Sequence, residues 1–280
     1  MLNLQAKAVL STILASTQNR LLHLTRYPAL LLSEMLIPVV HVVMPILLGR
    51  AIAGQQAAAN FAVNTGTENY IPYLLLGSIA FIVITRAFWD LAYWLRFEQE
   101  TGTLEGLYLT PCSRLAIATG VALYSAARSL VTGVLAFLVG CAVFRLNPFH
   151  GDILLAFGFL LVGQLSVYAM AFLFVAFLLR IKESSQLLGV LQWGISFFAG
   201  VYFPVLAFPR ILRFIALLLP PTWMINSLRA AILGTAYFFQ AWYLDMAALW
   251  VLLLLLLMIS AGVFRRIETT MRKNDGFGGY

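Results

Sequence analysis

Charge is scarce in this chain: Asp, Glu, Lys and Arg make up only 10% of its 280 residues, against roughly a quarter in a soluble domain. Lysine is nearly absent, with Lys7, Lys182 and Lys273 alone. None of them stands in G-x-x-x-x-G-K-[ST], the loop whose backbone N–H groups cradle phosphates while Lys and Ser/Thr serve the terminal phosphate and Mg²⁺. The chain therefore cannot hydrolyse ATP alone, and the tail after Arg265 is too short for a fused nucleotide-binding domain. Cysteine is limited to Cys112 and Cys141. They fall near opposite ends of one apolar stretch, too far apart along a helix for a disulfide. His23, His41 and His150 are scattered, and no Cys/His spacing points to a metal. The motifs H-E-x-x-H and G-x-S-x-G are missing, which argues against the common hydrolytic sites. A polyprenyl-phosphate transferase would need clustered carboxylates for Mg²⁺, and the acidic cluster here has an apolar stripe beside it.

What the chain does have is apolar length. Hydrophobic residues reach 62% and the mean hydropathy is +0.91, so this is an integral membrane protein. Six stretches supply the ~20 apolar residues that a helix needs to cross the hydrocarbon core. They are Ala29 to Leu48, Ile71 to Trp94, Leu115 to Phe144, Ile153 to Leu179, Leu187 to Leu206 and Tyr243 to Phe264. Continuous apolarity without alternation predicts helices rather than barrel strands, hence an all-α fold.

An even number of spans puts both termini on one side. On that side lie Lys7, Arg20, Arg26, Arg96, Arg114, Arg180, Lys182, Arg265, Arg266, Arg272 and Lys273; the other side carries Arg50, Arg145, Arg210, Arg213 and Arg229. The bias makes the termini cytoplasmic. The net charge of +7 follows from it, and anionic membrane lipid is a sufficient partner, with no nucleic acid required. Residues 1–28 mix Leu2, Leu4, Val9, Ile13 and Leu14 with Gln5, Lys7, Ser11, Thr12 and Ser16. That pattern suits an amphipathic helix in the cytoplasmic interface better than a signal peptide.

Two segments break the apolar monotony. Between the second and third stretches runs an acidic island, Glu98 to Pro111. A helix from about Thr103 puts Leu104, Leu107 and Tyr108 on one stripe, with Glu105 in the first turn where the helix dipole favours an anion and Pro111 closing the element. Together with Glu98 and Glu100, such an island is a handle for a cytosolic partner, the alternative being a solvated loop. The second segment runs from Tyr202 to Trp242. Pro204, Pro209, Pro220 and Pro221 forbid one continuous helix, yet Ile211 to Leu219 is too apolar for an open loop. Short broken helices dipping into the outer leaflet are expected, with Trp223, Trp242 and Tyr243 as headgroup anchors, or else a plug with a packing role.

Ionisable residues within the spans complete the inventory. Arg86 and Asp90 are i, i+4 on the second span and can pair. Glu34 in the first span and Arg128 in the third must face protein or water, and can meet each other or a substrate headgroup. His41, between Pro38 and Pro45, reads as an interior histidine rather than a ligand.

The island and the outer segment together resemble the ABC-2 type permeases of ATP-binding cassette exporters. The first pattern, E-x-E-x-G-T-L-E-x-L-x-x-T-P, is carried by Glu98, Glu100, Gly102, Thr103, Leu104, Glu105, Leu107, Thr110 and Pro111. The second is carried by Gly200, Phe203, Pro204, Leu219, Pro220, Pro221, Thr222, Trp223, Leu228 and Arg229. The resemblance implies an interfacial helix over 1–28, one six-helix transmembrane domain over 29–265, and a cytoplasmic tail over 266–280. Within the domain, 98–111 would hold the ATPase-coupling helix and 202–235 an outer re-entrant segment forming an exit gate from Phe203, Pro204, Pro220, Pro221, Trp223 and Arg229. It also implies a bacterial cytoplasmic (inner) membrane, a homodimer with two separate nucleotide-binding ATPase subunits, and ATP and Mg on those subunits, with no cofactor in this chain. The spans, with 21 Phe and 6 Trp in the chain as a whole, suit an amphiphilic drug or lipid, or a lipid-linked glycan, as cargo. An ATP-independent carrier or a membrane-embedded enzyme is the reading from outside this class.

Overall fold

A computed structural model describes residues 10–18, 28–67, 69–100, 114–148, 151–178 and 184–273. Among them the chain is all helical, with no strand. Residues 10–18 form a first helix, α1. Then come α2 (Pro28–Ala53), α3 (Ala57–Thr65), α4 (Tyr70–Glu100), α5 (Arg114–Phe144), α6 (Ile153–Leu178), α7 (Ser184–Phe198), α8 (Arg210–Leu217), α9 (Pro220–Leu233) and α10 (Trp242–Lys273).

Four of these are long and apolar enough to cross a membrane: Tyr70–Trp94, Ala116–Phe144, Ile153–Phe174 and Trp242–Val263. The pair α8 and α9 bends by 92° and makes a fifth if taken as one broken span. At the first and fifth expected spans, the described residues give the shorter apolar helices Val39–Ile52 and Gln186–Phe198. α2 runs on through Pro38 and Pro45, which a membrane helix tolerates when its neighbours satisfy the freed carbonyls.

Four boundaries differ from those expected, the first being α2, which runs to Ala53 rather than Leu48. α7 stops at Phe198 rather than near Leu206, because Gly200 takes the left-handed conformation at φ 75° and the chain turns before Pro204. α4 continues past Trp94 to Glu100, so Glu98 and Glu100 belong to its last turn. α10 likewise runs to Lys273, since nothing between Phe264 and Lys273 breaks a helix.

α4 is the central element. Of its apolar stretch 78% is buried, against 17% for α10, whose Val251, Leu254, Leu255 and Met258 face outward as a lipid-facing helix would. Phe88, Ile84 and Leu91 of α4 pack with Val121 of α5, Val167 of α6 and Ile225 of α9 in the main core. α1 docks on the start of α5, where the Thr17 hydroxyl donates to the Gly120 carbonyl at 3.1 Å. Its Leu10 and Leu14 stay exposed.

Candidate functional site: an intramembrane charge cluster and an arginine clamp

Two buried assemblies concentrate the polar chemistry of the described spans. The first gathers the ionisable residues singled out from the sequence. The chain direction reverses between α4 and α5, so Arg86 and Arg128, each about 21 Å along its helix from the ends at Glu100 and Arg114, reach the same level. Glu34 of α2 accepts from both guanidiniums through Oε1. Arg86 also pairs with Asp90 at 3.3 Å, the i, i+4 contact expected on α4. Asp90 Oδ2 accepts from the Ser125 hydroxyl at 2.5 Å, and Ser125 shares a 2.7 Å hydrogen bond with the Tyr168 hydroxyl of α6.

The spacing of Arg86 and Asp90 foretold one pair, and depth allowed Glu34 to meet Arg128. No spacing or motif signals that Glu34 joins both pairs, or that Ser125 and Tyr168 extend the network. Two carboxylates and two guanidiniums make the assembly formally neutral. That balance offsets much of the cost of holding charge away from water. Two of its buried atoms have no hydrogen-bond partner: Glu34 Oε2 and Arg128 Nε.

His41 lies two turns further along α2. Its ring meets the edge of Phe81 at 4.9 Å between centroids, and Phe81 in turn stands 5.2 Å from Trp193 of α7. Below them Gln192, not singled out from the sequence, ties α7 to α4. It accepts from Trp89 Nε1 at 2.9 Å and donates to Thr85 Oγ1 at 2.9 Å.

The second assembly surrounds Arg229 of α9. Expected in an exit gate, Arg229 is only 3% exposed. Its Nε donates to the Tyr73 carbonyl at 3.2 Å, Nη1 to Gly200 at 2.8 Å and Nη2 to Val201 at 2.6 Å. The guanidinium also covers the Tyr73 ring at 3.5 Å, a cation–π contact favoured by desolvation. This arginine clamps α4, α9 and the turn after α7 together. Gly77 of α4 makes the approach possible: a Cβ there would stand 1.9 Å from the Val201 carbonyl oxygen and 2.5 Å from Arg229 Nη2.

The remaining expected gate residues build the bent corner between α8 and α9. Pro220 and Pro221 open α9 at its first two positions, where a missing N–H costs nothing. Thr222 Oγ1 donates to the Ala216 carbonyl at 2.6 Å and Trp223 Nε1 to Leu217 at 2.8 Å, which folds α9 back on α8. Trp223 is therefore 7% exposed and packed on Phe238 and Phe239, whereas Trp242 and Tyr243 are exposed as membrane anchors would be. Phe203, just before Pro204, joins Phe197 and Phe208 in an aromatic cluster with centroids 5.1 to 5.5 Å apart. Of the coupling residues, Thr103, Leu104, Glu105, Leu107, Tyr108 and Pro111 lie outside the described residues.

A bundle of apolar helices with a neutralised charge cluster inside it and a proline-cornered pair at one end defines a multi-pass membrane protein. The chain belongs to the ABC-2 transporters: the family model described as ABC-2 family transporter protein matches residues 6–261. A comparison with curated proteins finds no match. Family membership makes the chain the membrane subunit of a transporter and implies pairing with an ATP-binding subunit.

Proposed function

We propose that the chain is the permease half of an ATP-driven exporter, moving an amphiphilic drug or lipid out of the cytoplasm or the inner leaflet of a bacterial inner membrane. Two copies with six spans each, termini cytoplasmic, would join two nucleotide-binding subunits. The observation that carries this reading is the family match over 6–261, together with the lack of any P-loop in the sequence. The course of α4 supports it. This helix leads from the acidic island at Glu100 to Tyr73, where the Arg229 clamp grips it, about 40 Å of continuous helix. A displacement of the island by a cytosolic motor is then delivered to the turn after α7 and to the corner between α8 and α9.

Phosphate release by the purified chain, alone and with its cognate ATP-binding subunit, tests the proposal. The expected result is turnover only in the complex, stimulated above that of the lone ATPase. Genuine turnover by the chain alone would overturn it.

A further inference from the structure

Glu34 Oε2 and Arg128 Nε are unusual in being buried and unpaired while belonging to two residues bound to each other. An unpaired buried acceptor and donor are each costly, so a partner that satisfies both is favoured. One is an acceptor and the other a donor. A single hydroxyl fills both roles, donating to Oε2 and accepting from the Nε–H. A cation or an anion has less to gain, since the four charges already balance and both guanidiniums are committed to carboxylates. The cluster is not sealed: the Arg86 and Asp90 side chains are 22% and 17% exposed.

About 10 Å along α2 from Glu34, the polar environment gives way to an aromatic one. His41 of α2 and Trp193 of α7 each contact Phe81 of α4 from the helices flanking it. Trp193 is 57% exposed despite its size. Val190 and Phe197 of the same helix are exposed beside it.

We propose that Glu34 and Arg128 form the polar end of an amphiphile-binding site whose apolar end is the exposed face of Trp193, backed by the buried Phe81, and that it takes an uncharged, hydroxyl-bearing head such as a sugar or polyol. The assignment of this ligand as cargo rests on the exporter reading above; the site itself does not.

Photolabelling of the full chain in nanodiscs tests the site. The probes are an alkyl glucoside, an alkyl trimethylammonium and an alkyl sulfate of one chain length, each with a diazirine on the alkyl chain. The glucoside should label saturably at peptides carrying Phe81 or Trp193, with half-saturation about tenfold below either ionic probe, the worth of one hydrogen bond to a charged group. Arg128→Lys keeps the charge opposite Glu34 but loses the Nε–H, and should raise the glucoside half-saturation about tenfold. Trp193→Leu leaves the charges untouched and should lower the labelling yield, which keeps the test decisive if the lysine variant fails to fold. Equal half-saturation for all three probes, labelling that never plateaus, or indifference to both variants would overturn the proposal. Assembly with the ATPase subunit is measured on the same preparation. Saturable glucoside labelling without assembly removes the exporter reading and leaves the site, and assembly without saturable labelling does the reverse.

Discussion

Gly77→Ala is the smallest change that should dismantle the Arg229 clamp. The added Cβ would lie 1.9 Å from the Val201 carbonyl oxygen, 2.9 Å from its carbon and 2.5 Å from Arg229 Nη2. A guanidinium can swing away, but the carbonyl belongs to a turn fixed by Gly200 at φ 75°. So either α4 or that turn must shift by more than an ångström. Such a shift opens the 2.6 and 2.8 Å bonds from Arg229 to Val201 and Gly200 and strands a buried charge. Losing two hydrogen bonds from a buried charged group, at roughly 1.5–3 kcal/mol each, costs about 3–6 kcal/mol. At roughly 2–4 °C per kcal/mol for a domain of this size, the midpoint of thermal unfolding should fall by about 10 °C. Gly262→Ala is the control: it sits in α10 with nothing within 4 Å of the new Cβ, and alanine in a helix interior is better than glycine by about 1 kcal/mol. Thermal unfolding of both purified variants in one detergent reads the difference. Combining Gly77→Ala with Arg229→Met should cost less than the sum of the two, because the methionine removes one of the colliding groups. A Gly77→Ala protein that melts with the Gly262→Ala control would refute the clamp.

If the island is the proposed coupling helix, Glu105→Lys with Leu107→Asp should weaken co-purification of the ATP-binding subunit while leaving membrane insertion intact, since the double change would oppose the helix dipole and put a charge in the docking stripe; wild-type stoichiometry and activity would reduce the island to a loop. Asp245 is buried and accepts from the backbone N–H of Phe238 and Phe239 at 3.0 Å each, so Asp245→Ala should lower stability by about 2–3 kcal/mol, read as a lower unfolding midpoint; an unchanged midpoint would show that the loop before α10 needs no such anchor. In a background lacking Cys112 and Cys141, Leu217→Cys, half-buried in the corner, should react slowly with an impermeant thiol reagent added outside, and Gln240→Cys, which is exposed, should react fast. Equal rapid labelling would mean an ordinary exposed loop, and labelling of both only from the cytoplasm would invert the topology.

Helical class and membrane residence were legible because they depend on sums over many residues: apolar length needs no knowledge of neighbours. Local punctuation was legible too. Pro220 and Pro221 located the 92° corner, and the i, i+4 spacing of Arg86 and Asp90 anticipated their pair. What could not be read was anything set by which helices touch. Arg229 in isolation has the look of a cation near an aqueous exit. Its burial follows from Gly77, a hundred and fifty residues upstream, whose missing side chain is the pocket for the guanidinium. Likewise Glu34 sits alone in its span, and only the antiparallel pairing of α4 with α5 delivers two arginines to one of its oxygens. A lone intramembrane charge therefore tells a reader that a partner exists, because hydrocarbon tolerates nothing else. It does not say whether that partner is cargo, a side chain or a backbone carbonyl. For Arg229 the packed structure answers with three carbonyls and a tyrosine ring. For Glu34 it answers with two guanidiniums at Oε1 and none at Oε2. The clamp is complete within the chain and ties α4, α9 and the turn after α7 together. The cluster leaves one acceptor and one donor unpaired on two residues bound to each other, whereas His41 Nδ1 and Gln164 Oε1, the other unpaired buried atoms of the described spans, each stand alone; on the proposal above, that juxtaposition is what marks the ligand site.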